Sequence, residues 1–172
     1  IGLNMQKLLV LTTGGTIDKV YFDALSQFEV GDPVAHDILT AMNVAFEFEV
    51  QEICRKDSLE ITKEDRQALR KAIEASDAQY ILITHGTDTM VDTAQFIGEQ
   101  TQKHIVLTGS MQPAAFKDTD AVFNIGSAIG ALTIATPGVY IAMSGKVYPA
   151  GDVFKNYDSK RFEHVQGSNQ VQ

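Results

Sequence analysis

Cysteine is almost missing from this chain: among 172 residues, Cys54 is the only one. No internal disulfide can form, and a cysteine-ligated metal cluster is excluded. Basic residues are also scarce, 14 Lys and Arg against 22 Asp and Glu, which leaves a formal charge of −8. A chain of that sign is repelled by phosphate backbones and anionic headgroups, so neither nucleic acid nor a membrane surface is the expected partner. Long apolar runs are lacking too. No stretch approaches the ~20 residues that cross a bilayer, and no charged-apolar-small leader opens the chain. These absences point to the cytoplasm, and residues 1–4 ahead of Met5 receive no structural weight. Repeats, low-complexity tracts and linker-like segments are absent as well. The expectation is one domain over 1–172, long enough to bury a real core.

What is present is a repeated strand-and-turn pattern. Tyr80-Ile81-Leu82-Ile83 suits a buried strand and runs straight into Thr84-His85-Gly86-Thr87-Asp88-Thr89, after which Met90, Ala94 and Ile97 recur at helical spacing. Strand, turn and helix in that order put side chains and backbone amides at the carboxyl edge of a parallel sheet, where open α/β folds bind ligands. Asp88 alone could be a helix cap. Capping does not account for two threonines, a histidine and a glycine beside it. A second such turn, Thr12-Thr13-Gly14-Gly15-Thr16, follows the continuous strand Lys7-Leu8-Leu9-Val10-Leu11-Thr12.

The remaining chain alternates strands with helices. Residues 17–32 lack a period and read as a lid loop, since a loop that long in a compact domain is usually functional or disordered. Pro33 suits a first helical turn, with Val34, Ile38, Leu39 and Met42 as its apolar face. Residues 45–53 alternate, with Phe46, Phe48, Val50 and Ile53 set against glutamates and Gln51, as in a strand near an edge. Thr62 with Asp65 resembles a capping box ahead of a helix that buries Leu69, Ala72 and Ile73. A helix over 89 to about 101, a strand over 104–108, and a helix over about 119–133 with Val122, Ile125, Ile129 and Leu132 inward come next. A fifth strand over 139–143 leads to a hairpin turn at Gly145-Lys146. The fold class is α/β: a mainly parallel sheet with helices on both faces, flavodoxin-like.

Four turns follow strands, at 12–16, 54–58, 84–88 and 109–113, and they carry many hydroxyls. A hydroxyl is a poor nucleophile until a neighbouring base takes its proton. His85 is one candidate base; its other reading is a ring that hydrogen-bonds backbone at the sheet edge. Lys155, closing the apolar Val153-Phe154 segment, is another, because burial is what makes lysine a base; its other reading is a solvated surface lysine. Gly14-Gly15 lacks both the Walker and the dinucleotide spacings, so a nucleotide site is disfavoured.

Leu11-Thr12-Thr13-Gly14-Gly15-Thr16-Ile17 and Thr84-His85-Gly86-Thr87-Asp88-Thr89-Met90 closely resemble the two signature segments of the bacterial-type L-asparaginase/glutaminase family. The likeness continues through Asp57-Ser58, Gly109-Ser110-Met111-Gln112-Pro113 and Gly151-Asp152-Val153-Phe154-Lys155-Asn156, in the same order. The resemblance implies an amidohydrolase that converts the side-chain amide of asparagine, or a related small amide, to acid and ammonia without metal or organic cofactor. It makes Thr16 the nucleophile and Thr87, Asp88 and Lys155 a triad in which lysine is the base. It assigns the substrate's α-ammonium to Asp88 and its α-carboxylate to Ser58, with Asp57, Gly86 and Ser110 also lining the substrate. Amides of Gly15 and Thr87 would face the oxyanion. The family's lid carries a tyrosine near the first threonine. Here Phe28 aligns with it, and Tyr21 is the candidate replacement for the catalytic hydroxyl. Family members add a second, smaller domain that completes a neighbour's site, whereas this chain stops soon after Lys155. The expectation is a single N-terminal-type domain working as a homodimer, with a non-catalytic amino-acid-binding module as the alternative.

Overall fold

The computed structural model describes residues 5–98 and 102–165. Its strands in chain order are β1 (Lys7–Gly14), β2 (Lys19–Phe22), β3 (Gln27–Val30), β4 (Glu47–Lys56), β5 (Tyr80–Thr84), β6 (His104–Thr108), β7 (Gly138–Met143), β8 (Lys146–Pro149), β9 (Val153–Asn156) and β10 (Arg161–His164). The helices are α1 (Ala35–Ala41), α2 (Lys63–Ala75), α3 (Met90–Ile97) and α4 (Ala121–Ile134). Six strands form one sheet in the order β4-β1-β5-β6-β7-β8. All neighbours are parallel except the β7–β8 pair. Counting only the parallel strands, the order is 2-1-3-4-5, the doubly wound arrangement whose switch point falls between the first and third strands. No helix among the described residues is long and apolar enough to cross a membrane.

The continuous apolar strands are buried on both faces, as parallel strands are. Alternate residues serve two cores. Leu9, Leu11, Ile81, Ile83, Ile105 and Leu107 pack with Leu69 and Ile73 of α2 and Met90 and Ala94 of α3. Leu8, Val10, Leu82 and Val106 pack with Ala35 and Leu39 of α1 and with Ala121, Ile125, Ala128 and Leu132 of α4. Helix α2 starts with the expected capping box: Thr62 Oγ1 accepts the Asp65 amide at 3.2 Å, and the Asp65 carboxylate accepts the Thr62 amide at 2.8 Å.

Several local expectations change. Residues 17–32 are not an irregular loop: a short 3-10 turn at Thr16–Asp18 leads into the β2–β3 hairpin, with Tyr21 opposite Phe28. Strand β4 is the sheet edge, as its alternation implied, but it runs on to Lys56, and Ile53 packs on the opposite face from Phe46, Phe48 and Val50. Helix α1 begins at Ala35, two residues after Pro33. Helix α3 stops at Ile97, and the expected extension over 99–101 lies outside the described residues. In α4 Val122 is 39% exposed, while Ala121, Asn124, Ala128 and Ala131 face inward. The β7–β8 hairpin turns at Ser144 and Gly145, with φ of 55° and 81°, one residue earlier than read. Consecutive positive φ values give the primed turn that matches strand twist.

The strand-end turns meet through glycines. A Cβ on Gly15 would lie 2.5 Å from the Gly86 Cα and N, and one on Gly86 would lie 2.5 Å from Ser58 Cβ. On Gly109 it would lie 2.2 Å from the His85 carbonyl oxygen, whereas on Gly126 of α4 it would meet nothing within 4 Å. The two alanine variants should therefore move stability in opposite directions. In urea unfolding, Gly109→Ala should lose about 1–3 kcal/mol, the usual cost of overpacking, and Gly126→Ala should gain roughly 0.5–1 kcal/mol. A Gly109→Ala protein as stable as the parent would contradict the backbone contact.

Candidate active site

Strands β1 and β5 run side by side with Thr12 opposite Thr84, so their carboxyl-end turns emerge together. Thr13 Oγ1 donates to the Thr84 carbonyl at 2.9 Å, which ties the turns at their base. The β4 turn joins them. Ser58 is 2% exposed, its Cβ lies against Gly86, and its carbonyl accepts the Thr89 hydroxyl at 2.7 Å. The β6 turn closes the group through Gly109. In this cluster Thr87 is buried, while Thr16 is only partly so and opens the 3-10 turn beyond β1.

Lysine 155 arrives from outside the central sheet. It sits in β9 opposite Phe162 of β10, and that small hairpin is anchored by buried Val153 and Phe162 and by the Tyr148 hydroxyl donating to the Phe162 carbonyl at 2.8 Å. The Lys155 side chain is only 11% exposed. Its Nζ lies 2.8 Å from Thr87 Oγ1 and 2.5 Å from Asp88 Oδ1. The structure thus brings Thr87, Asp88 and Lys155 into direct contact. Asp88 is not a cap: α3 begins after Thr89, and no side chain caps it. Tyr157, not among the residues singled out from sequence, stacks under the Lys155 ammonium at 5.1 Å and donates its hydroxyl to the Asp88 carbonyl at 3.2 Å. An aromatic two residues beyond a buried lysine was the only available signal.

The other sequence candidates divide. Asp57 holds Lys19 at 2.8 Å, and that ammonium keeps its carboxyl below the ordinary range. Its carboxylate therefore ties the hairpin root to the Ser58 turn. Gly15 is where it was expected, but its amide is not free for an oxyanion. It donates to the Lys56 carbonyl at 2.9 Å, because β1 and β4 stay paired past an irregularity at Thr12–Gly14. Ser110 is buried at the site's edge, yet its hydroxyl donates to the Gln112 carbonyl at 2.5 Å and so serves its own turn. Tyr21 is 52% exposed and packs on Phe28 at 5.4 Å, and Phe28 packs in turn on Phe116. Among the described residues the Tyr21 hydroxyl makes no hydrogen bond to Thr16.

His85 is buried, its pKa pushed down to about 4 chiefly by desolvation, and both its ring nitrogens are engaged, one by the Gly86 carbonyl and one by the Thr93 hydroxyl. No group of three or more His, Cys, Asp or Glu side chains among the described residues is placed to hold a metal. A triad of buried Thr87 with partly exposed Asp88 and Lys155 at the strand ends, and a second hydroxyl on the neighbouring turn, make an arrangement suited to attack on a small carbonyl compound.

Known proteins share this chain's sequence pattern and fold. The profile described as "Asparaginase, N-terminal" matches residues 7–171. The L-asparaginase of Thermococcus kodakarensis is 35% identical over 154 residues, covering 83% of this chain and 45% of that protein. The glutaminase-asparaginase of Pseudomonas aeruginosa is 28% identical over 174 residues, covering 91% and 47%. The solved thermostable L-asparaginase from Thermococcus kodakarensis superposes with a TM-score of 0.81 at 28% identity, covering 95% of this chain and 52% of that one. The chain spans about half the length of the curated relatives it matches.

One carboxyl at the hairpin root is in no ion pair among the described residues. Asp18 is 2% exposed; its Oδ1 accepts the Val34 amide at 3.0 Å and its Oδ2 has no hydrogen-bond partner among the described residues. Burial raises its pKa from 3.8 to about 7, with Glu52 adding to the rise and the Val34 hydrogen bond and Arg55 opposing it. Below about pH 4 the group is protonated whether folded or unfolded. As pH climbs to about 7 the unfolded chain releases the proton and the folded one keeps it. Stability is lost across that window, on the order of 4 kcal/mol at most. Asp18→Asn keeps an acceptor for Val34 and cannot ionise, so its stability relative to the parent should rise between pH 4 and 7 and then level off. Parallel denaturation curves for the two proteins across that range would contradict the assignment.

Proposed function

Because this chain belongs to the asparaginase family, we propose that its strand-end cleft hydrolyses the side-chain amide of asparagine, or a related small amide, to acid and ammonia. The observation that carries this reading is Lys155 Nζ, 2.8 Å from Thr87 Oγ1 and 2.5 Å from Asp88 Oδ1. A pocket that only bound an amino acid would have no use for a shielded lysine on a threonine hydroxyl. In the proposed sequence Thr16 Oγ1 attacks the amide carbon and gives up its proton to the leaving nitrogen, so ammonia departs and an acyl ester remains. Water then attacks that ester. Lys155, its ammonium having first passed a proton to the adjacent Asp88 carboxylate, takes the water's proton through the Thr87 hydroxyl and returns it to Thr16, which regenerates the enzyme with the acid released.

Substrate holding follows from the same edge. Asp88 is partly exposed, so its carboxylate can also meet a substrate ammonium. In this reading buried Ser58, which faces Gly86, receives the carboxylate end. The β2–β3 hairpin is the lid in this reading. Its root is latched by Lys19 on Asp57 and by Asp18, while its tip exposes Tyr21, Phe22 and Phe28. Those exposed rings supply apolar area for closure over a bound substrate, which would exclude water from the reacting groups. Closure would also bring Tyr21 toward Thr16.

Ammonia release from asparagine, glutamine and small amides tests the proposal. Thr16→Ala, Thr87→Ala and Lys155→Met should each lower turnover by roughly a hundredfold or more while circular dichroism stays unchanged, as loss of a nucleophile or a proton carrier does. Tyr21→Phe should cut turnover with aspartate binding retained, since only a hydroxyl is removed. Parental turnover in all three alanine and methionine variants would overturn the proposal. A silent Tyr21→Phe would remove Tyr21 from the chemistry and leave it as lid packing.

A further inference from the structure

Buried His85 has three polar neighbours in series. Its Nδ1 lies 2.7 Å from the Gly86 carbonyl oxygen, and its Nε2 lies 2.8 Å from Thr93 Oγ1 on α3. Arg66 of α2 donates its Nε–H to the same Thr93 oxygen at 2.9 Å. The partners decide the proton positions. A carbonyl oxygen only accepts, so Nδ1 carries the hydrogen. The neutral ring then leaves Nε2 as an acceptor, and Thr93 must donate to it. The Thr93 oxygen in turn receives the Arg66 hydrogen. Every group in the line from Arg66 to Gly86 is used in one direction.

We propose that this line is a positioning device for the oxyanion: Arg66, Thr93 and His85 hold the Gly86–Thr87 peptide so that the Thr87 amide points into the cleft. The inference rests on the amidohydrolase reading above and deepens it. The Gly86 carbonyl and the Thr87 N–H belong to one planar trans peptide, so fixing the oxygen on one side fixes the hydrogen on the other. Glycine alone would leave that plane free to flip at little cost. The Thr87 amide also bears more of the load than the sequence implied, because the Gly15 amide is taken by the Lys56 carbonyl. Burial, and after it the Arg66 charge, favour the neutral ring that the line requires, against the Gly86 hydrogen bond and, more weakly, Asp92. An oxyanion donor works only if it is aimed before the charge develops.

The test has an arm that needs no turnover. Long-range nitrogen–proton NMR on the parent protein should find His85 in the neutral Nδ1–H form, which is the minor form of free histidine, and the ring should stay neutral down to about pH 5. The Thr87 amide resonance should move in His85→Ala and return toward its parental position in His85→Asn, whose side-chain amide can replace the Nδ1 donor. In the kinetic arm, His85→Ala should lower kcat roughly tenfold to a hundredfold, a fraction of the loss seen when an oxyanion donor is deleted. KM should change little, and His85→Asn should recover most of the loss. An Nε2–H ring, an unmoved Thr87 resonance, or a His85→Asn variant as impaired as His85→Ala would overturn the proposal. If the parent released no ammonia, the amidohydrolase reading would fall, and the tautomer and the Thr87 resonance would still decide whether the line holds that peptide.

Discussion

At the carboxyl edge of the sheet, backbone meets backbone at distances that leave no room for a side-chain carbon. Gly15 faces Gly86, Gly86 faces Ser58, and Gly109 faces the His85 carbonyl. The strand order makes these contacts unavoidable: the first and third strands are neighbours, so their turns must share one small volume. Threonines can stand on both turns because the residues between them take no space. Thr16, Thr87 and Ser58 then stand on short turns that leave the ends of neighbouring strands. A methyl at one of these contacts would shift a whole turn, not one side chain.

Polar groups packed this tightly carry a stability cost. Thr12 Oγ1, Thr84 Oγ1 and Asp18 Oδ2 are buried without partners among the described residues, all near the carboxyl ends of β1 and β5 or the turn beyond β1. Each such atom loses hydration without a compensating hydrogen bond. The two buried titratable groups there oppose each other. Neutral His85 loses stability as pH falls from 6.5 toward 4, because the unfolded ring takes a proton that the folded one resists. Protonated Asp18 loses stability as pH rises from 4 toward 7. The flanking ion pairs, Lys19 with Asp57 and Arg55 with Asp32 and Glu52, are partly exposed and contribute little energy each. Their role is to set where the hairpin root sits.

The parallel sheet was legible because strands buried on both faces read as unbroken apolar runs, as in Leu8–Leu11 and Ile81–Ile83. The Thr/Gly turns were legible because those residue types are useful together only at a strand end. The β2–β3 hairpin escaped because its residues pair with one another above the domain, exposing Val20, Tyr21, Phe22 and Phe28, so no core imposes alternation on them. The inward face of α4 was legible at Ile125, Ile129 and Leu132 but not at Val122, because close packing on β6 and β7 selects alanine and asparagine where hydropathy points to valine. Burial of Lys155 is a tertiary fact: nothing in Val153-Phe154-Lys155 says that a second hairpin will press it against Thr87. The engagement of the Gly15 amide by Lys56, and the meeting of Arg66 with Thr93, depend equally on register and on helix packing that spacing alone does not reveal.

The central claim is that the amide is opened by a threonine hydroxyl at this glycine-lined edge. Rapid acid quenching during turnover of asparagine, followed by proteolysis and mass spectrometry, tests it most directly. The account predicts a β-aspartyl ester on the peptide containing Thr16, accumulating further when Lys155 is replaced and absent when Thr16 is alanine. Ammonia release at the parental rate with no ester on either Thr16 or Thr87 at any quench time, in the parent or in the Lys155 variant, would contradict it.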